Sequence, residues 1–241
     1  MKKDVLNLSN LSIGFNRILF EKVNGNISSG SITALMGVNG VGKSCLLKTI
    51  ANLIPALSGR LLIHGKELRA YSALEFSQQV SLVLTEKIQV DFLRVDELIY
   101  LGRSPYTNWM GKIKKTDLEV VDQVIKQVGI SNLVDRFFNE LSDGQKQKVL
   151  IARALAQKPK LLILDEPATY LDIPSKIELI KILKNISSEN NVAIIMSTHD
   201  LDLIEKHVDQ IWLMGNDRSF HQGSPDYFRS SGLFKKHFFM A

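Results

Sequence analysis

Ile32-Thr33-Ala34-Leu35-Met36-Gly37-Val38-Asn39-Gly40-Val41-Gly42-Lys43-Ser44-Cys45 is the stretch on which the reading of this chain turns. Ile32 to Met36 predicts a strand, and Cys45 to Leu53 predicts a helix. Phosphate oxygens need several donors converging on one point. A connecting loop with glycines at 37, 40 and 42 lets backbone N–H groups turn inward without Cβ obstruction. The helix start adds its dipole. Lys43 would supply a point charge for β- and γ-phosphates, and the Ser44 hydroxyl a ligand for Mg²⁺. Gly37, Val38, Asn39, Gly40, Val41, Gly42, Lys43, Ser44 and Cys45 thus form a Walker A loop in its strand-loop-helix setting.

Working outward, Val5 to Leu8, Ser31 to Met36, Arg60 to His64 and Val80 to Leu84 are β-rich runs punctuated by glycines at 14, 25, 30, 59 and 65. From about Val95 to Ala156 the pattern turns helical. Val120, Val121, Val124, Ile125 and Val128 recur at three- and four-residue spacing, and Pro159 ends the last helix. Leu161 to Leu164 and Val192 to Met196 are uniformly apolar, with a helical segment from Ser175 to Ile186 between them. Strands apolar on both faces and joined by a crossover helix predict a parallel sheet covered on both sides. Phe228 to Phe239 is aromatic and basic on a helical period. It reads as packing against the body of the domain, with a partner-binding face as the alternative.

At 241 residues, 45% hydrophobic and 23% charged, the chain can bury one substantial core and is too short for two large domains. No stretch approaches the roughly 18 uninterrupted apolar residues of a bilayer span, and the start lacks the apolar run of a secretory signal. A soluble, cytoplasmic protein is expected. The net charge of +5 is scattered and reads as a solvated surface, with no nucleic-acid partner. The single cysteine, Cys45, cannot form an internal disulfide, which fits a reducing compartment, and reads as a small apolar packing residue.

Two further stretches carry chemistry. The apolar run Leu161 to Leu164 ends in Asp165 and Glu166. Strand side chains alternate, so the two acids take different tasks: Asp165 at the Mg²⁺ shell, Glu166 as general base for the attacking water. Leu141-Ser142-Asp143-Gly144-Gln145 precedes a helix from Lys146 to Ala156. A serine and a glycine at a helix N-terminus form a second anion site, which one nucleotide at the first loop does not need.

That segment resembles the signature motif of ABC ATPases, and the resemblance covers essentially the full chain. It implies an α/β P-loop NTPase fold of ABC ATPase type: a RecA-like parallel sheet core (about residues 1–86 and 157–241) with an N-terminal antiparallel β subdomain and an inserted α-helical subdomain (about 87–156). It also implies a head-to-tail homodimer in which Ser142, Asp143, Gly144 and Gln145 meet the γ-phosphate bound by the other copy. Ala168 to Asp172 looks like the family's D-loop, with Leu171 and Asp172 at its end. Ser197-Thr198-His199-Asp200 looks like its switch segment, in which His199 contacts the γ-phosphate and fixes the attacking water. Phe15 stands where the family stacks an aromatic on adenine, buried packing being the competing account, and Arg17 is a candidate phosphate or ribose contact.

Two departures from the family pattern stand out. Thr85, in Val83-Leu84-Thr85-Glu86, takes the place of the usual glutamine; it offers a hydroxyl to the metal shell but reaches less far and lacks an amide. Asp143 replaces a common glycine and is expected to point outward, away from phosphate. The segment from Val95 to Thr107 is similar to the insert of importer ATPases serving iron-siderophore, haem and cobalamin permeases. On that likeness Gly102 and Pro105 stop a short helix and present Arg103 and Tyr106 to a membrane subunit; an ordinary helix end with a snorkelling arginine is the alternative. The implied partners are ATP, a second copy, integral membrane permease subunits and, indirectly, a solute-binding protein, at the cytoplasmic face of the cell membrane. A competing assignment is a non-transport ABC ATPase that clamps a soluble protein or nucleic acid; such proteins commonly carry tandem cassettes or long arms.

Overall fold

In the computed structural model the described residues are 3–85, 92–107, 111–200 and 206–239, so Glu86 and parts of the expected helical insert fall outside them. In chain order the strands are β1 (Asp4–Gly14), β2 (Ile18–Ser28), β3 (Ile32–Met36), β4 (Ser58–Ile63), β5 (Lys66–Glu67), β6 (Val80–Val83), β7 (Leu161–Leu164), β8 (Ala193–Ser197), β9 (Gln210–Met214) and β10 (Phe220–Gly223). The helices are α1 (Lys43–Ile50), α2 (Ala73–Ser77), α3 (Val95–Tyr100), α4 (Lys115–Val128), α5 (Asp143–Ala156), α6 (Ile173–Asn190) and α7 (Pro225–Ser231).

Two sheets form. One is antiparallel, in the order β2-β1-β4-β5; the other has six strands in the order β10-β9-β3-β8-β7-β6. Within the second, β9, β3, β8, β7 and β6 run parallel and only the edge strand β10 is antiparallel. Every residue of β3, β7 and β8 is buried, as their unbroken apolar sequences require when both faces are covered. On one face lie the apolar sides of α3, α4, α5 and α6; on the other lie α1 and the antiparallel sheet. The C-terminal segment packs as expected: Phe228, Phe234 and Phe238 close over Ala34, Met36, Ile211 and Leu213. Among the described residues no helix is long and apolar enough to cross a membrane.

β9 and β10 form a hairpin that the sequence does not announce. Phe220-His221-Gln222-Gly223 has no apolar alternation, and only its ladder with β9 makes it a strand.

One expectation is corrected. Arg103 is not presented on a surface, and Tyr106 is only partly exposed. Arg103 is 5% exposed; its Nε and an Nη each lie 2.9 Å from Asp117 Oδ1, and the other Nη donates to the Ala156 carbonyl at 2.6 Å. Tyr106 stacks under the guanidinium, 3.9 Å from its ring centre, and its hydroxyl donates to the Gln157 carbonyl. The reason is the ends of helices. The last carbonyls of α5 lack intrahelical donors, and a buried guanidinium satisfies one of them while a carboxylate neutralises it. Gly102 permits the approach, since a Cβ there would lie 2.1 Å from the Arg153 carbonyl oxygen.

Candidate active site

Parallel strands place all their carboxyl ends on one edge of the sheet, and the order β3-β8-β7-β6 sets the neighbours there. The glycine loop after β3, Ser197 to Asp200 at the end of β8, Asp165 and Glu166 after β7, and Thr85 after β6 therefore converge although they span 164 residues from Gly37 to Asp200. A cavity of about 490 Å³ opens at this edge. Phe15, Asn39, Gly40, Gly42, Lys43, Ser44, Cys45, Thr85 and Glu166 line it, with Leu19 and Lys48 beside them.

Each side chain has a local cause. Gly42, with φ +123, turns the loop into the N-terminus of α1 in a conformation that side chains disfavour. Lys43 is 5% exposed, and its Nζ donates to the carbonyls of Gly37 and Val38 at 2.9 and 3.3 Å. Burial pulls its pKa below the ordinary lysine value, while Glu166 and Asp165 pull it back up. Val41 packs on the core and Cys45 is buried in it, so the loop is anchored by apolar contacts. Phe15 is 63% exposed and faces the cavity mouth, which rules out buried packing. Arg17 is exposed and does not line the cavity.

Asp165 is 6% exposed, and the Ser197 hydroxyl donates to its Oδ1 at 2.6 Å. Thr85 Oγ1 donates to the Asp165 carbonyl at 2.8 Å. Glu166 has Oε1 4.0 Å from Lys43 Nζ and accepts from Thr169 Oγ1 at Oε2. His199 is exposed and lines a hollow of about 10 Å³ together with Glu166, Thr169, Ser197 and Asp200. Lys176 of α6 holds Asp200 at 2.9 Å, which ties this segment down. Among the described residues no group of three or more His, Cys, Asp or Glu could hold a metal ion. One serine hydroxyl and one buried carboxylate are hard oxygen donors, and they suit Mg²⁺, which takes few protein ligands and fills its shell with phosphate oxygens and water.

Ser142, Gly144, Gln145 and Leu171 line a separate cavity of about 100 Å³, with Lys148, Ser175, Glu178 and Leu179. Ser142 caps α5: its hydroxyl accepts the Gln145 N–H, while the Gln145 side chain accepts the Ser142 N–H. Asp143 is exposed, in keeping with an outward orientation. Asp172 caps α6 by accepting the Ser175 N–H at 3.0 Å; its hydrogen bonds with Ser175 hold its pKa below the usual value. The two predicted anion sites thus occupy distinct cavities.

Sequence reasoning passed over Leu19, Lys48 and Lys176, and placed Thr169 in the D-loop and Ser197 in the switch segment without assigning either hydroxyl a contact. Thr169 had a signal, three residues past Glu166 in a turn. Ser197 had none, because its contact depends on strand register.

The ABC transporter family profile matches residues 20–169. An uncharacterized ABC transporter ATP-binding protein of Methanocaldococcus jannaschii is 36% identical, over 92% of this chain and 77% of that one. The achromobactin transport ATP-binding protein of Dickeya dadantii is 31% identical, over 93% and 84%. The iron(3+)-hydroxamate import ATP-binding protein of Bacillus subtilis is 33% identical, over 82% and 74%. Among solved structures, cbiO1 of Clostridium perfringens, part of the ABC transporter complex cbiONQ, superposes with a TM-score of 0.85 at 30% identity, covering 98% of this chain and 94% of that one. A phosphate loop, an acid pair and a capped signature helix in these positions, together with such relatives, make this chain a member of the ABC transporter family and an ATPase.

Proposed function

We propose that two copies of this chain power a membrane permease that imports an iron chelate, with haem or cobalamin as the other candidate solutes. The observation that carries the dimer is the separation of the two anion sites. The helix start at Ser142 lines a cavity that shares no residue with the one around Lys43, which supports a triphosphate brought there by a second copy. The importer reading is supported by relatives whose names specify achromobactin and iron(3+)-hydroxamate transport. The scattered charge supports it over a nucleic-acid clamp.

In this reading Phe15 stacks on adenine and the loop from Gly37 to Ser44 wraps the phosphates, with Lys43 as their cation. Ser44 and Asp165 would hold Mg²⁺, with the Thr85 hydroxyl as a further candidate ligand, and the ion would supply positive charge to the phosphate oxygens. Glu166 takes the proton of the attacking water and His199 holds that water in line. Ser142, Gly144 and Gln145 of the second copy close on the γ-phosphate. The chain then works at the cytoplasmic face of the membrane, opposite a solute-binding protein.

Uptake of labelled ferric siderophores, haem and cobalamin by cells lacking this gene tests the assignment. Loss of one class, restored by the intact gene but not by Glu166→Gln, is expected. Unchanged uptake of all three overturns it.

A further inference from the structure

Ser197, the last residue of β8, is fully buried, and its hydroxyl works in two directions at once. It donates to Asp165 Oδ1 at 2.6 Å and accepts the Glu166 N–H at 2.7 Å. Register explains the meeting. Leu164 of β7 pairs with Met196 of β8, so the next residue on each strand, Asp165 and Ser197, comes side by side at the carboxyl edge. Both recorded partners of this hydroxyl belong to the acid pair.

Glu166 also has an unusual backbone. Its φ is +47, in the left-handed region that a non-glycine residue seldom enters. Such a conformation persists only where the surroundings over-determine it, and its N–H, turned out of the β-ladder, needs an acceptor of its own. Ser197 is that acceptor. The same oxygen's proton holds the Asp165 carboxylate, so one side chain holds both acids, Asp165 at its carboxylate and Glu166 at its backbone. Two residues further along lies His199, in the segment that Lys176 holds through Asp200.

We propose that Ser197 is a positioning residue for ATP hydrolysis: it aims Asp165 at the cation and Glu166 at the water, and couples both to the segment carrying His199. The proposal rests on the roles given to Asp165 and Glu166 above. A hydroxyl is needed because the position must donate and accept together, which alanine cannot do and a thiol does weakly.

The test compares wild type, Ser197→Ala, the near-isosteric Ser197→Cys, and Glu166→Gln, in nucleotide binding with and without Mg²⁺ and in turnover. Both Ser197 variants should bind ATP in EDTA as wild type does, need roughly tenfold more Mg²⁺ for the Mg-dependent gain in affinity, and turn over roughly 10–100-fold more slowly, the scale of a hydrogen bond to a charged group. Should alanine fail to fold, the cysteine variant carries the comparison. Wild-type Mg²⁺ requirement and turnover in either folded variant overturns the proposal. So does an equal loss of affinity with and without Mg²⁺, which marks a merely structural serine. If wild type shows no Mg²⁺ effect, or Glu166→Gln turns over normally, the roles of the acid pair fail and the proposal falls with them; normal controls beside unaffected Ser197 variants remove the proposal alone.

Discussion

Lys43 Nζ lies 4.0 Å from Glu166 Oε1 in the cavity at the carboxyl edge of the sheet, so the proposed cation for the phosphates and the proposed carboxylate for the water share one electrostatic environment. Burial lowers the Lys43 pKa and the Glu166 carboxylate partly restores it, so replacing Glu166 also touches Lys43.

Replacing Glu166 with Gln removes the proton acceptor but keeps the side chain's size. Hydrolysis should fall by about 10²–10⁴ while ATP still binds. With Mg-ATP, the variant should elute as a dimer in gel filtration; an unshifted monomer peak counts against the head-to-tail assembly.

The pH dependence of ATP binding follows from Lys43. Burial places its folded pKa below the ordinary value, so the ammonium loses its proton earlier than a free lysine. Between the folded and unfolded pKa values the unfolded chain binds more protons, and stability rises with pH there as the cost of a buried charge is relieved. Affinity for ATP should move the opposite way and fall through the same alkaline window. In Glu166→Gln, which lacks the carboxylate that raises the Lys43 pKa, calorimetric titrations should find the fall at lower pH.

Phe15 is exposed at the cavity mouth, so truncating it leaves no hole in the core. Phe15→Ala should weaken ATP by about 1–3 kcal/mol, the scale of base stacking on an aromatic ring, with the melting temperature nearly unchanged. Equal ATP affinity in variant and wild type would end the stacking role.

Arg103 and Asp117 are the reverse case. Burial raises the Asp117 pKa, but the Lys114 N–H and Arg103 outweigh it and keep the carboxyl ionised below its usual range. Breaking a buried pair leaves one uncompensated charge, so Arg103→Ala or Asp117→Asn should destabilise by about 3–5 kcal/mol in denaturant unfolding. Arg103→Lys should recover little, because a lysine cannot serve both Asp117 and the Ala156 carbonyl in the plane of a fork.

The amino-acid sequence by itself determined the glycine loop after β3, the acid pair after β7 and the capped start of α5. Each is written in one contiguous run whose chemistry is local: glycines that free backbone N–H groups, two acids closing an apolar strand, a serine capping the helix three residues before its partner glutamine. The tertiary structure decided what lies across from what. Strand order and register, which no single segment encodes, put Ser197 against Asp165 and Thr85 on its carbonyl. Arg103 turned inward because its partners, Asp117 and the end of α5, come from 14 and 53 residues further along the chain. A side chain's nearest neighbours in sequence say how the backbone bends; whether a charge ends in water or in the core depends on which distant groups folding brings to meet it.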